Sequence, residues 1–429
     1  MAIAMVMEGR QTSSMSDNRI LNIEKVRELF DLEGSYLESS GGAYRDDPNP
    51  AWNHLRETGP VHRGTVHELG KLGRDATFHG LPEEGKEHYS VFSFEACDFI
   101  YRNPEIFASA AEAPDIRGGE TSVFNTMLTM GGAEHRRYRA LVQPSFMPAK
   151  AEWWLRNWIT STIDELIDCF INDGKAELNT DFCAAVPVLT ITGSFGFTVE
   201  QALEVRNAVS NAMRIVELLQ PILADRRVNP QDDLISVLAH SEITDEDGTT
   251  QVLSDAEIYS FSVLLLAAGS GTTWKQMGLI LNILLNNPEL LARVRDDRSL
   301  IKPLIDEAVR WVPTDPMFSR WVTQDVEMFG TTVPAGAVIH LCLGSANRDP
   351  ARWDNPDTFD IDRKAKPTLA FGGGPHVCLG MHVARAELTG GLNALLDRLP
   401  NLRLNPEKPA PEIIGYYERG SSALHVLFD

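Results

Sequence analysis

Phe371-Gly372-Gly373-Gly374-Pro375-His376-Val377-Cys378-Leu379-Gly380 opens onto a helical pattern with Val383, Ala386, Leu392 and Leu395 on one apolar stripe. Cys378 therefore stands at or just before a helix N-terminus, among glycines that leave backbone N–H groups free. The positive end of the helix dipole and those donors favour a thiolate. Such a sulfur suits a nucleophile, which needs a positioned base, and His376 and His382 are near in sequence. It equally suits an axial iron ligand, which needs N–H groups toward the sulfur and a flat apolar face for a macrocycle. Local chemistry leaves both open.

The other cysteines, Cys97, Cys169, Cys183 and Cys342, bring the total to five, widely spaced and without a Cys-x-x-Cys pair. Neither a disulfide framework nor a structural zinc site is supported, and these four read as small buried hydrophobes. The 429 residues are 43% hydrophobic, 8% aromatic and 23% charged, which excludes disordered, collagen-like and disulfide-scaffold classes. Lys and Arg number 39 against 60 Asp and Glu, a net charge of −21 that repels phosphate backbones and anionic membranes. No nucleic-acid or membrane partner is expected. The longest apolar run, Phe261 to Ala268, is far short of the roughly 18 residues a membrane helix needs. Met1 to Met7 lacks a basic start and a cleavage site, so no signal peptide is expected and a cytoplasmic protein is predicted.

Working outward, helix dominates. Residues 1–16 read as a mobile tail, Pro48 to Arg56 as a short helix ended by Gly59-Pro60, and Tyr89 to Phe94 as a half-buried strand. Further strands are expected at Val326 to Val333 and Ala337 to Leu343, around a Pro334-Ala335-Gly336 turn, and at Ala423 to Phe428. Most of 135–310 has helical period. The strands come from distant segments, so the reading is a mainly α fold with a minor β region (α+β) and one interleaved domain over 17–429. The longest helix is predicted over about 255–286, from the capping box Ser254-Asp255-Ala256-Glu257 to Asn286-Asn287-Pro288. At 1.5 Å per residue it is on the order of 45 Å long. Its middle, Leu264-Leu265-Leu266-Ala267-Ala268-Gly269-Ser270-Gly271-Thr272-Thr273, holds two glycines, each costing about 1 kcal/mol relative to Ala. Either another helix packs closely there, or something large lies against a bare backbone.

Phe371, Gly374, His376, Cys378 and Gly380 match the haem-binding signature Phe-x-x-Gly-x-His-x-Cys-x-Gly of the cytochrome P450 family. Four other segments resemble that family's motifs in the family's order. Glu307-Ala308-Val309-Arg310 resembles its Glu-x-x-Arg, with Arg363 as third partner; Ala268 to Thr273 resembles the oxygen-binding kink of its central helix. His135-Arg136-Arg137-Tyr138-Arg139 is similar to its haem-propionate helix, and Ala346-Asn347-Arg348-Asp349-Pro350 is typical of its soluble bacterial branch. The match runs over about 45–429.

The resemblance implies a long central helix over haem b (iron protoporphyrin IX) whose iron takes the Cys378 thiolate, with O2 on the opposite side. His135, Arg139, Arg320 and His376 would hold the propionates, because cations and N–H donors make charge-assisted bonds to carboxylates. Glu307, Arg310 and Arg363 would form a buried structural network, although an i, i+3 pair taken alone is an ordinary solvated one. Ala268, Gly271, Thr272 and Thr273 are the candidate catalytic positions, with Thr272 relaying protons. The substrate pocket would draw on the 107–128 loop, Leu264, Ala267, Pro316, Met317, Phe318 and Tyr416 to Glu418. That lining suits a small, largely apolar organic substrate. Glu418 or Tyr417 is a candidate to recognise a polar end, against the expectation of an outward-pointing side chain. With no length left for a flavin or iron–sulfur module, electrons from NAD(P)H would come through a ferredoxin reductase and a [2Fe–2S]-type or similar ferredoxin, docking near Arg136 and Arg137. Two departures stand out. Thr368 replaces a frequent propionate-binding histidine, and Gly271 replaces the usual acid. The missing acid keeps a peroxide-using or non-oxygenating haem-thiolate protein as the second reading, and a cysteine hydrolase as a third.

Overall fold

The computed structural model describes residues 24, 27, 44–71, 85–110, 126–208, 211–244 and 248–429. The predicted tail and the 111–125 part of the predicted pocket loop lie outside the described residues.

A five-stranded sheet is assembled from both ends of the chain. Its strands are β1 (Val61–Arg63), β2 (His88–Val91), β3 (Phe107–Ala108), β4 (Met317–Val322) and β5 (Val338–Cys342), in the order β1-β2-β5-β4-β3. Only β2 and β5 run parallel; the other pairs are antiparallel. Central β5 is buried throughout and reads Val-Ile-His-Leu-Cys, the near-continuous apolar run of a strand covered on both faces. The predicted strand over 89–94 stops at Val91, because the Ser93 hydroxyl accepts from Ala96 N–H and starts a helix at Phe94. Val326 to Val333 is a hairpin in itself, Val326–Met328 against Thr331–Val333, since Phe329 and Gly330 adopt positive φ angles of 50° and 78° between them. β4 was not foreseen: its residues read as pocket lining, and only the ladder to Ile339 reveals a strand.

Six helices position the site: α1 (Gly132–Val142), α2 (Ala185–Ser194), α3 (Val199–Asn207), α4 (Asp255–Leu285), α5 (Ile301–Trp311) and α6 (Met381–Arg398). The predicted capping box at Ser254 and Glu257 is formed in full, and α4 runs unbroken for 31 residues. The expected kink does not interrupt its hydrogen-bonded ladder. α4 packs on α2, α3's neighbour in sequence, and on α5 and α6. Its flanks join one large core cluster with Trp154, Phe182, Phe195 and Leu392. A second cluster lies beneath the sheet, and a small third one gathers Trp52, Leu55, Phe92 and Tyr416.

Candidate functional site

The cysteine loop is rigidly seated. Cys378 N–H donates to Phe371 O at 2.8 Å, closing the turn, and Arg139 Nη2 donates to Val377 O at 2.7 Å. Gly374, at φ 63°, lies so close to the Tyr101 backbone oxygen that any Cβ there would collide with it. Arg385 caps the Phe371 ring at 4.8 Å and pairs with Asp306 at 2.9 Å. Cys378 is exposed, yet desolvation by the surrounding protein is the largest influence on its thiol and pushes the pKa up. The sulfur is thus reachable although protein surrounds most of it. Gly380 and Met381 N–H groups and Arg139 favour the thiolate, while Asp315 opposes it. The net direction corrects the sequence expectation: the helix start alone does not ionise this sulfur, because desolvation outweighs its donors. No histidine hydrogen-bonds Cys378 among the described residues, so the nucleophile reading lacks its base.

Beside the loop lies a cluster of nitrogen donors. His135, 2% exposed on α1, stacks on His376 with ring centroids 3.9 Å apart, and its Nδ1 has no hydrogen-bond partner. Burial first, and Arg139 next, lower its pKa to about 4; burial and then His135 lower that of His376 to about 3. Both rings are neutral at pH 7. Arg139 and Arg320 are also desolvated, and their protein partners are a backbone carbonyl each, Val377 O and Ser319 O. Arg320 additionally sits 5.3 Å over the Tyr101 ring. Two half-buried guanidiniums without an acidic partner and an orphaned imidazole nitrogen make a receptor for carboxylates. The expected histidine position is taken by Thr368, whose Oγ1 accepts only from nearby Ala370 N–H at 3.4 Å.

The middle of α4 breaks an otherwise buried helix. Ala267, Gly269, Gly271 and Thr272 are half-buried and Ala268 is exposed, whereas 260–266 and 273–282 are buried. The two glycines divide the two explanations that composition left even. A Cβ on Gly269 would stand 2.9 Å from Ile191 Cγ1 of α2, so that glycine serves close packing; one on Gly271 would meet only Glu418 Oε1, at 3.9 Å. A Cβ on Gly380 would likewise meet nothing within 4 Å. Open space at both glycines, the accessible sulfur and the carboxylate receptor together fit a haem with a thiolate ligand.

Several expected site residues fall elsewhere. Thr273 is turned into the core and hydrogen-bonds Glu387 of α6, as does Thr190 of α2. Burial pushes the Glu387 carboxyl up to about 8. Met317 is not a pocket wall: it packs with Trp52, Cys342 and Tyr416 on the far side of β4. Leu264 and Pro316 are buried, Ala267 and Phe318 half-buried, and Tyr417 stacks loosely on His67 at 6.4 Å. Glu418 corrects its expectation outright. It points inward, to Lys275 Nζ at 2.6 Å, because a lysine buried in a core helix needs a counter-charge. Asp315 is a further residue that no motif flagged; burial first, then the Glu418 charge, push its carboxyl up to about 7, against the pull of Lys275.

The structural network is buried as expected. Arg310 Nε and Nη2 reach both oxygens of Glu307 at 2.7 Å, and Arg363 Nε reaches Glu307 Oε1 at 3.3 Å. The remaining Arg310 donors bind Asn347 O, Pro356 O and Thr358 O, and Asp360 N–H completes the Glu307 carboxylate at 2.9 Å. α5 is thereby tied to the segment that leads into the cysteine loop.

Comparison with known proteins agrees with this geometry. Residues 203–413 match the family model described as Cytochrome P450. The putative cytochrome P450 133B2 of Xylella fastidiosa is 31% identical over 394 residues, spanning 85% of this chain and 92% of that protein. Pulcherriminic acid synthase of Bacillus subtilis is 28% identical, over 90% and 96% of the two chains. Among solved structures, that of Rif16 superposes with a TM-score of 0.75 at 30% identity, covering 90% of this chain and 99% of that one.

Proposed function

The chain belongs to the cytochrome P450 family of oxidoreductase monooxygenases, and from that premise we propose that it inserts one oxygen atom of O2 into a C–H bond of a small organic substrate. One observation carries the reading. The exposed Cys378 sulfur carries the N–H groups of Gly380 and Met381, the stretch Ala267 to Thr272 opens an otherwise buried α4, and the Asp315 charge is felt at the sulfur. When bound, the haem supplies the iron at which O2 is reduced and split.

Every other task falls to the chain. Cys378 holds the group as its thiolate ligand, under the donors of Gly380 and Met381. His135, Arg139, Arg320 and His376 hold its two propionates, and Phe371 and Gly380 shape the face on which it lies. Ala268 and Gly271 would leave room beside α4 for the bound group, and the Thr272 hydroxyl would hold or pass a proton there. Leu264, Ala267, Pro316 and Phe318 exclude water from an apolar substrate body, and the Tyr417 hydroxyl orients a polar end. Residues 17–429 act as one catalytic domain in the cytoplasm. Electrons from NAD(P)H come through a ferredoxin reductase and a [2Fe–2S]-type ferredoxin that docks on exposed Arg136, on Arg137 and on the cysteine loop. No single helix among the described residues is long and apolar enough to cross a membrane.

The test is reconstitution. The purified protein, reduced under carbon monoxide, is expected to give the red-shifted band of a thiolate-ligated haem. With ferredoxin, reductase and NADPH it should oxidise a compound found by screening terpenes, fatty acids, steroids and aromatic acids for a haem spin-state change. A colourless protein sinks the reading, and turnover with peroxide but not with NADPH favours the peroxide-using alternative.

A further inference from the structure

Gly271 brings no side chain to the face of α4 where proton delivery is needed, yet a carboxylate stands there. Ala268, Gly271, Thr272 and Lys275 follow the i, i+3, i+4, i+7 spacing of one helix face. Glu418, from the turn between the Ile413–Ile414 and Gly420–Ser421 strands, reaches over that face. Its Oε1 lies 3.9 Å from where a Cβ at 271 would be, and its Oε2 lies 2.6 Å from Lys275 Nζ. The turn is held in place by its own backbone. Gly415, at φ 86°, closes against the Glu418 carbonyl so tightly that no side chain fits, and Arg419 N–H donates to Thr314 O at 2.6 Å.

The cluster around this carboxylate is charged from every side. Lys275 on α4 is 4% exposed, Arg206 on α3 is desolvated and feels the Glu418 charge, and Asp315 lies in the loop between α5 and β4. A buried lysine and an arginine give this carboxylate two counter-charges, and the second carboxylate competes for them. The Asp315 charge is also felt at the Cys378 sulfur, so the cluster stands within electrostatic reach of it.

We propose that Glu418 is the relay acid of this enzyme, carried on the C-terminal turn in place of the side chain that Gly271 lacks. The inference rests on the monooxygenase reading and on Thr272 as the group that passes the proton onward. The Glu418 carboxyl gives its proton to the Thr272 hydroxyl, which releases its own proton into the site. The carboxylate takes its next proton from solvent water, while the Lys275 ammonium stays charged and holds it in position. Glu418 and Thr272 each give one proton and take one, so neither is consumed.

The experiment uses holoprotein carrying Glu418→Gln, and Glu418→Gln with Lys275→Met so that no buried ammonium is left alone. A third variant, Gly271→Glu with Glu418→Gln, returns the acid to the helix. Two readouts are taken without added substrate: the infrared C–O stretch of the reduced carbon monoxide complex between pH 6 and 9 in H2O and D2O, and oxygen uptake driven by NADPH, a plant-type [2Fe–2S] ferredoxin and its reductase. We expect a pH- and D2O-sensitive stretch in the wild type that is lost in both Glu418→Gln proteins and returns with Gly271→Glu. Oxygen uptake should fall by roughly 10- to 100-fold with a raised solvent isotope effect, and recover in the same variant. Unchanged stretch and isotope effect in Glu418→Gln proteins overturn the proposal. So does a Gly271→Glu protein with a wild-type haem spectrum but no recovery, because Glu418 would then matter for shape alone. A wild type without the thiolate-type band overturns the monooxygenase reading itself.

Discussion

The two walls of the candidate site are built in opposite ways. The cysteine wall is local: Phe371 to Gly380 fold on one another, with Cys378 N–H bound to Phe371 O seven residues back. The helix wall is assembled from distant pieces, with Gly271, Thr272 and Lys275 from α4, Asp315 after α5 and Glu418 near the C-terminus. A wall made of one loop tolerates little change, because its glycines and backbone bonds allow a single path. The assembled wall can exchange parts, since any segment that brings a carboxylate to the same place does the same work.

The comparison predicts its largest effect at the cysteine. Cys378→His should keep haem but lose the red-shifted carbon monoxide band and all hydroxylation, because imidazole donates less electron density than thiolate. A difference spectrum decides it, and an unchanged band would break the assignment. The next effect falls on the tie between α5 and the loop. Glu307→Ala leaves Arg310 and Arg363 without their carboxylate in a buried site and should cost about 3–5 kcal/mol, giving apoprotein or aggregate. Normal thermal melting of soluble holoprotein would contradict it.

A smaller effect depends on pH. Glu387 holds its proton to about 8 when folded, against 4.5 as its ordinary value, so the native state binds the proton more tightly than the unfolded chain. Its contribution is therefore favourable at low pH and shrinks as pH rises from 4.5 toward 8. Glu387→Gln should flatten this loss, by on the order of 2 kcal/mol between pH 6 and 8. Melting curves of both proteins at those two pH values sharpen the picture of α6 as a neutral, packed support behind both walls. The smallest effect separates the two glycines of α4. Gly269→Ala, pressed on Ile191, should destabilise by about 1–3 kcal/mol. Gly271→Ala meets open space and should be neutral or up to about 1 kcal/mol stabilising. Denaturant titration of the pair tests it, and equal losses would mean that both glycines serve packing.

Most of the cysteine wall was legible in the chain itself. Its residues are contiguous, its glycines mark where backbone must approach backbone, and the capping box at Ser254 placed the start of α4 to the residue. Legible too were the partners of Glu307, through a motif rather than through chemistry, since an i, i+3 pair looks the same on a surface. Lys275 offered an unread signal, as a single charge inside the apolar run from Trp274 to Leu285 implies a buried partner. The inward turn of Glu418 and the core position of Met317 were misread, and β4 was missed. Each depends on which segment lies opposite, and nothing within a few residues records that.

By itself, then, the sequence determined the fold family, the cysteine loop with its signature, the extent of the central helix and the absence of an acid at 271. Those follow from local patterns of spacing, caps and glycines, whose energetics act within a turn or a loop. Only the tertiary structure decided that one glycine packs and the other opens, that Thr273 faces Glu387 and that Glu418 occupies the space at 271. These are contacts between residues up to 147 positions apart, and burial and charge act through space rather than along the chain.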